Sequence, residues 1–178
     1  RLTLSREWAD PILWGLGQPN LLRLDTELRD AAGRRLDLRQ TRFGFRELWA
    51  EGPDLIFNGV PMHFRAYAMN DDWGWNDRMQ WADIRRRVRE GQRFLGMMER
   101  HIYSWNQHPT VADEEGIPIA YGVTGEHGPT QYKLESDELW IHTVELATQA
   151  VRRLYNHPSI LQWYINNEYS ECAPDAAL

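Results

Sequence analysis

The stretch Asn156-His157-Pro158-Ser159-Ile160-Leu161-Gln162-Trp163-Tyr164-Ile165-Asn166-Asn167-Glu168 decides how this chain is read. It opens on a helix stop, because proline has no amide hydrogen to donate and pushes the residue before it toward extended geometry. Residues 159–165 are mostly apolar, β-branched or aromatic over the length of a strand, the pattern of a strand buried on both faces in a parallel sheet. That strand runs out into two amides and a carboxylate, Asn166, Asn167 and Glu168. In an α/β barrel the carboxyl ends of the strands are where the chemistry is kept. Glu168 is therefore a candidate general acid. The same carboxylate also suits the first turn of a following helix, where it meets the positive end of the helix dipole. On pattern alone both readings stand.

Working outward, 178 residues suffice for one good core or two modest ones. A formal charge of -6 argues against a nucleic-acid partner, since a phosphate-binding surface needs a basic excess. The basic cluster Arg85-Arg86-Arg87, with Arg89 and Arg93, is interleaved with Asp83 and Glu90 and reads as a solvated helix face. Nine tryptophans suit a carbohydrate ligand, whose C–H faces stack on indoles, as well as they suit a core. Cys172 is the single cysteine, so neither an internal disulfide nor a cysteine zinc cluster is expected. No apolar run is long enough to span a membrane, and the chain opens at Arg1 inside a strand-like pattern, which leaves targeting and compartment open.

The first 50 residues carry β signals. Residues 21–28 and 36–39 follow a strand period, with Asp30-Ala31-Ala32-Gly33 as the turn between them, the return half of an antiparallel sandwich. Asn58-Gly59 between apolar runs predicts a two-residue hairpin turn. A strand is expected over 62–68, and Asn70 and Asp71 follow it beside Trp73 and Trp75. These groups are candidates to grip sugar hydroxyls, or equally to form a loop and a helix cap. The neighbouring carboxylates lack a spaced ligand set, so no metal or other cofactor is expected. Residues 77–98 predict a helix, and 102–105 a second strand that runs into Asn106-Gln107-His108-Pro109. A helix closing at Gly116 leads into a third strand. From Asn106 to Gly116 the chain is short for a loop and a full crossover helix, so residues look missing there. Residues 135–155 are the clearest helix, with Leu139, Val144, Leu146, Ala147, Val151 and Leu154 on its apolar side.

Taken together, His157-Pro158-Ser159-Ile160, Trp163 and Asn167-Glu168 resemble the acid/base strand of the family 2 glycoside hydrolases, which include β-galactosidases, β-glucuronidases and β-mannosidases. The doubled Asn166-Asn167 is closest to the mannosidase-like branch. Trp14 with Gly17-Gln18-Pro19-Asn20-Leu21, and Arg42-Phe43-Gly44-Phe45-Arg46, resemble the end of the immunoglobulin-like domain that precedes the barrel in that family. Arg46 is expected to tie domain to domain, not to touch sugar. Asp113-Glu114-Glu115-Gly116-Ile117 matches the family's Asp-Glu-x-Gly-Ile segment, with Asp113 and Glu114 expected to be structural. Gly125-Glu126-His127-Gly128 resembles a segment of the galactosidase-like branch whose histidine contacts substrate. Family members commonly place an arginine in the second strand; Tyr103 takes that position here, while His108-Pro109 is kept.

The resemblance implies a fold and a mechanism. The fold is the end of an immunoglobulin-like β-sandwich over residues 1–50, followed over 51–178 by the first half of a TIM (β/α)8 barrel. The mechanism is that of a retaining exo-β-glycosidase on terminal β-linked sugars of a glycoside or oligosaccharide. Glu168 is its proton donor, Asn167 holds the hydroxyl at C2, and Asn70, Asp71, Trp105, His108 and His127 are candidate substrate contacts. A retaining enzyme needs a second carboxylate, and the family's nucleophile, a glutamate on a later strand, falls outside this chain. A whole barrel takes about 250 residues, so the chain is expected to be partial and inactive alone. Alternatives are an inactive carbohydrate-binding or scaffolding protein on the same fold, and an unrelated α+β domain. Sugar, oligomeric state and compartment are left open.

Overall fold

The computed structural model describes residues 5–63, 65–68, 82, 85–86, 89–90, 96–100, 107–123 and 137–164. Its strands form a two-stranded hairpin, a three-stranded antiparallel meander and a four-stranded parallel sheet.

The hairpin joins β1 (Leu22–Arg29) to β2 (Arg35–Phe43), in register from Leu22↔Phe43 to Leu28↔Asp37. Its turn is made by Asp30, whose Oδ1 accepts from the Ala32 and Arg34 amides at 3.0 and 2.9 Å, with Gly33 at φ 80°. The meander comprises β3 (Leu48–Glu51), β4 (Asp54–Phe57) and β5 (Val60–Met62). Asn58 and Gly59 both have positive φ, 51° and 80°, as the expected tight hairpin turn requires. Asn58 also works away from its turn: Nδ2 donates to Trp14 O at 2.9 Å, and Oδ1 accepts from the Glu47 amide at 2.9 Å.

The parallel sheet holds β6 (Arg65–Ala68), β7 (Gly96–Arg100), β8 (Ile119–Gly122) and β9 (Ile160–Tyr164), side by side in chain order. Helices α1 (Gln107–Glu115) and α2 (Asp137–Leu154) lie in the last two crossovers. Their packed face and the sheet enclose a core of Val111, Ile117, Ile119, Tyr121, Leu154 and Ile160.

Several expectations are corrected here. The segment from Gly96 is strand, so the helix expected over 77–98 does not reach Met98, and the second strand is 96–100 in place of 102–105. Met, Glu and Arg favour helices in isolation, but pairing on both sides, with β6 and β8, overrides that preference. With the strand moved upstream, the crossover to β8 has room for α1, and the apparent shortage of residues disappears. The first parallel strand likewise starts at Arg65, because Met62 is taken by β5, opposite Leu55. On α2 the inward stripe is Thr143, Ala147, Ala150, Val151 and Leu154; Val144 and Leu146 stand 62% and 58% exposed, off the line of that stripe. Strand β9 is buried at its start, at Ile160, whereas Gln162 is exposed.

Gly116 closes α1 at φ 67°, and a Cβ there would lie 2.8 Å from Gly17 N and 2.9 Å from Gly15 O. Gly33 has a similar φ of 80° with open space around it. Gly33→Ala should therefore lose only the about 1–2 kcal/mol of left-handed strain, and Gly116→Ala distinctly more in urea denaturation. Equal losses would mean that the Gly15–Gly17 backbone yields freely.

Candidate functional site

The four parallel strands end in line. Ala68 is opposite Glu99, Arg100 opposite Tyr121, and Gly122 opposite Tyr164. Each expected site segment follows one of these ends in the chain: Asn70 and Asp71 after β6, Trp105 and His108 after β7, His127 after β8, Asn167 and Glu168 after β9. Of these residues, Glu168, Asn167, Asn70, Asp71, Trp105 and His127 lie outside the described residues, as does Tyr103 with the rest of 101–106. His108 is described, and it is buried, 1% exposed, in the first turn of α1. The corrected position of β7 brings out a residue the sequence reading passed over: an arginine, Arg100, is the last residue of that strand. Only the strand register could have found it, because the helix expected through Met98 hid the strand.

The amino ends of β8 and β9 are held by a polar cluster around Asp113. This carboxylate is 2% exposed; Oδ2 accepts from His157 Nδ1 at 2.6 Å and Oδ1 from the Ser159 amide at 3.1 Å. The backbone carbonyl of Asp113 takes the indole N–H of the fully buried Trp14 at 2.8 Å. Asp, His and Ser are the residue types of a nucleophilic triad, but the geometry is different. Ser159 is fully buried and its hydroxyl donates to Pro109 O at 3.3 Å. The cluster is an anchor: it pins the turn before β9 to α1, in keeping with the structural role expected of Asp113.

Arg46, just after β2, completes the anchor at the start of β9. Its Nε donates to Pro158 O at 2.7 Å and Nη2 to Ile160 O at 2.5 Å. Burial pulls the guanidinium below its usual pKa, and the nearby Tyr155 acts against that shift. Beside it lies a cavity of 260 Å³ touching Gly44, Tyr155, His157 and Trp163. A second, of 330 Å³, lies between the meander and β9, against Met62, His63 and Gln162. Among the described residues no group of three His, Cys, Asp or Glu side chains is placed to hold a metal, and no helix is long and apolar enough to cross a membrane.

The last turn of α1 is bound by a chain of ion pairs. Glu114 takes Arg42 at 2.6 Å and Arg85; Glu115 takes Arg85 and, at 2.8 Å, Arg89. The arginines at 85 and 89 are thus engaged with α1. Burial acts to raise the pKa of both glutamates, yet the arginine hydrogen bonds outweigh it and hold both below the ordinary value. A carboxylate depressed in the folded state contributes stability above its unfolded pKa, about 4.3, and loses it as pH falls through the folded value. Tm should therefore fall on acidification below about pH 4.3, and Glu115→Gln should flatten the fall. An unchanged slope in that variant would show that the network contributes nothing to acid stability.

Compared with known proteins, residues 3–46 match the family model described as glycosyl hydrolases family 2. Among solved structures, a β-glucuronidase from Bacteroides uniformis superimposes with a TM-score of 0.77 at 19% identity, over 94% of this chain and 20% of that one. The β-glucuronidase of Ruminococcus gnavus in complex with D-glucuronic acid gives 0.74 at 22% identity, over 96% of this chain and 28% of that one. That of Parabacteroides merdae gives 0.73 at 18% identity, over 90% and 20%. At these identities the likeness is one of fold. The chain spans between 20% and 29% of the length of the structures it matches. The resemblance read from the sequence, to family 2 glycosyl hydrolases in a partial chain, is borne out.

Proposed function

We propose that the protein carrying this chain is a retaining exo-β-glycosidase that removes terminal β-linked sugars, with Glu168 as general acid/base and its nucleophile outside this chain. The observation that carries the reading is the alignment of four parallel carboxyl ends, each followed in sequence by polar or aromatic residues suited to a sugar, on a chain whose first residues match a glycosyl hydrolase family. In this reading residues 1–50 end an immunoglobulin-like sandwich and 51–178 open a (β/α)8 barrel. Asn167 holds the hydroxyl at C2, and Asn70, Asp71, Trp105 and His127 line the sugar, whereas His108, 1% exposed in the first turn of α1, is enclosed by protein and does not reach it.

The chemistry follows from that placement. A protonated Glu168 gives its proton to the leaving oxygen as the glycosidic bond breaks. The carboxylate left behind then takes a proton from the water that releases the sugar from the nucleophile. Hydrolysis of a panel of 4-nitrophenyl β-glycosides (glucuronide, mannoside, galactoside and glucoside) by the whole protein tests the proposal. Turnover of one of them supports it and names the sugar. A folded protein that binds but turns over none of them would point to the sugar-binding alternative.

A further inference from the structure

We infer that Arg46 is a positioning residue for Glu168, acting through a bulge in β9; the inference rests on the acid/base reading of Glu168. Arg46 follows β2 in the chain, yet its guanidinium spans two carbonyls at the start of β9, Pro158 O at 2.7 Å and Ile160 O at 2.5 Å. Pro158 and Ser159 form the turn that enters β9, closed by the Ile160 amide on His157 O at 3.3 Å, and the planar fork takes the carbonyls on either side of Ser159. The intervening Ser159 O faces the other side and accepts from the Ile119 amide at 2.8 Å. Sliding β9 along its axis would break the grip on both sides at once.

Immediately beyond this grip the pairing with β8 slips. Ile119 is opposite Ile160, but Ala120 is opposite Gln162, which leaves Leu161 as an extra residue. Such a bulge re-aims the strand after it, and moving it by one residue would turn every later side chain to the opposite face. Arg46 holds Ile160 O, the last carbonyl before the extra residue, and so fixes where the bulge falls. Gly44 lets it come close enough: a Cβ at that position would lie 2.8 Å from Pro158 Cγ.

The test is made in the whole protein with Arg46→Lys and Arg46→Met, using a methyl and a 4-nitrophenyl β-glycoside of the preferred sugar, with Glu168→Gln in parallel. Displacing an acid by about 1 Å costs about 100-fold. Both Arg46 variants should thus lose about 10- to 100-fold in kcat/KM on the methyl glycoside and about threefold or less on the nitrophenyl glycoside, because kcat/KM reports the first step, in which only the poor leaving group needs the proton. The alkaline limb of the kcat profile should also move. A lowered Tm with an unchanged ratio between the two substrates would make Arg46 merely structural and overturn the inference. Should Arg46→Met not fold, the ratio in Arg46→Lys decides, because it keeps a cation but not the fork. If Glu168→Gln itself shows no dependence on leaving group, the acid/base reading fails and takes the inference with it. If that variant shows the dependence and Arg46→Lys does not, only the positioning role is lost.

Discussion

Glu168→Gln is expected to lower kcat/KM on alkyl β-glycosides by about 10²- to 10⁴-fold, the usual contribution of a positioned general acid. An alkoxide is a poor leaving group and needs its proton as the bond breaks, which glutamine cannot give. A nitrophenolate leaves without one, so the first step on nitrophenyl glycosides should be nearly spared. Release of the sugar from the nucleophile would then limit turnover, because the base that activates water is gone as well. Azide needs no deprotonation and should speed that second step in the variant while leaving the parent protein unaffected. The alkaline limb of the parent's pH profile should vanish with the acid. Equal losses on both leaving groups, or none, would sink the assignment and return Glu168 to the role of a carboxylate at a helix start.

How far the sequence anticipated the structure depended on whether a local signal and the tertiary contacts agreed. Asn58-Gly59 and Asp30 to Gly33 were legible as turns because the conformation they adopt is dictated by their own chemistry. The start of β9 was legible because Pro158, coming after a long helical run, cannot continue it. By contrast Gly96 to Arg100 has the composition of a helix and becomes strand only between β6 and β8. That contact cannot be seen in a window of sequence, and missing it hid Arg100 and made the following crossover look too short. The inward stripe of α2 was misjudged for a similar reason: Thr143 is buried and Val144 is not, a choice made by what the helix packs against.

The site divides in the same way. Its reacting groups were read from residue types at the ends of strands, and His108 is the member whose burial the structure specifies. Its foundation was visible only as motif fragments. Gly44, Arg46, Asp113, His157 and Ser159 come from three separate stretches of sequence, and each looks like a turn, a cap or a surface charge until Asp113 and Arg46 are seen to meet at the start of β9. This is the amino-terminal end of the sheet, where barrels keep residues that stabilise rather than react.

Asp113→Ala should accordingly be among the more destabilising single changes in the chain, lowering the unfolding free energy by about 2–4 kcal/mol, the cost of one orphaned buried amide and one lost side-chain hydrogen bond. Its carboxylate serves the Ser159 amide and His157 together, inside a site where Ser159 is fully buried and water cannot take its place. An orphaned buried amide alone costs about 1–3 kcal/mol, and the loss of the hydrogen bond to His157 adds to it. The substitution isolates the side chain, because the indole of Trp14 is bonded to the backbone carbonyl of Asp113, which alanine keeps. Asp113→Asn retains an oxygen for the Ser159 amide, and a change of tautomer lets His157 accept from its new NH₂ group. It should lose less than half as much. Urea midpoints of Asp113→Ala, His157→Ala and the double variant would give the coupling between the two side chains. A loss below about 1 kcal/mol for Asp113→Ala, within the range of an ordinary surface hydrogen bond, would mean that β9 is held by its strand pairing and by Arg46 without this anchor.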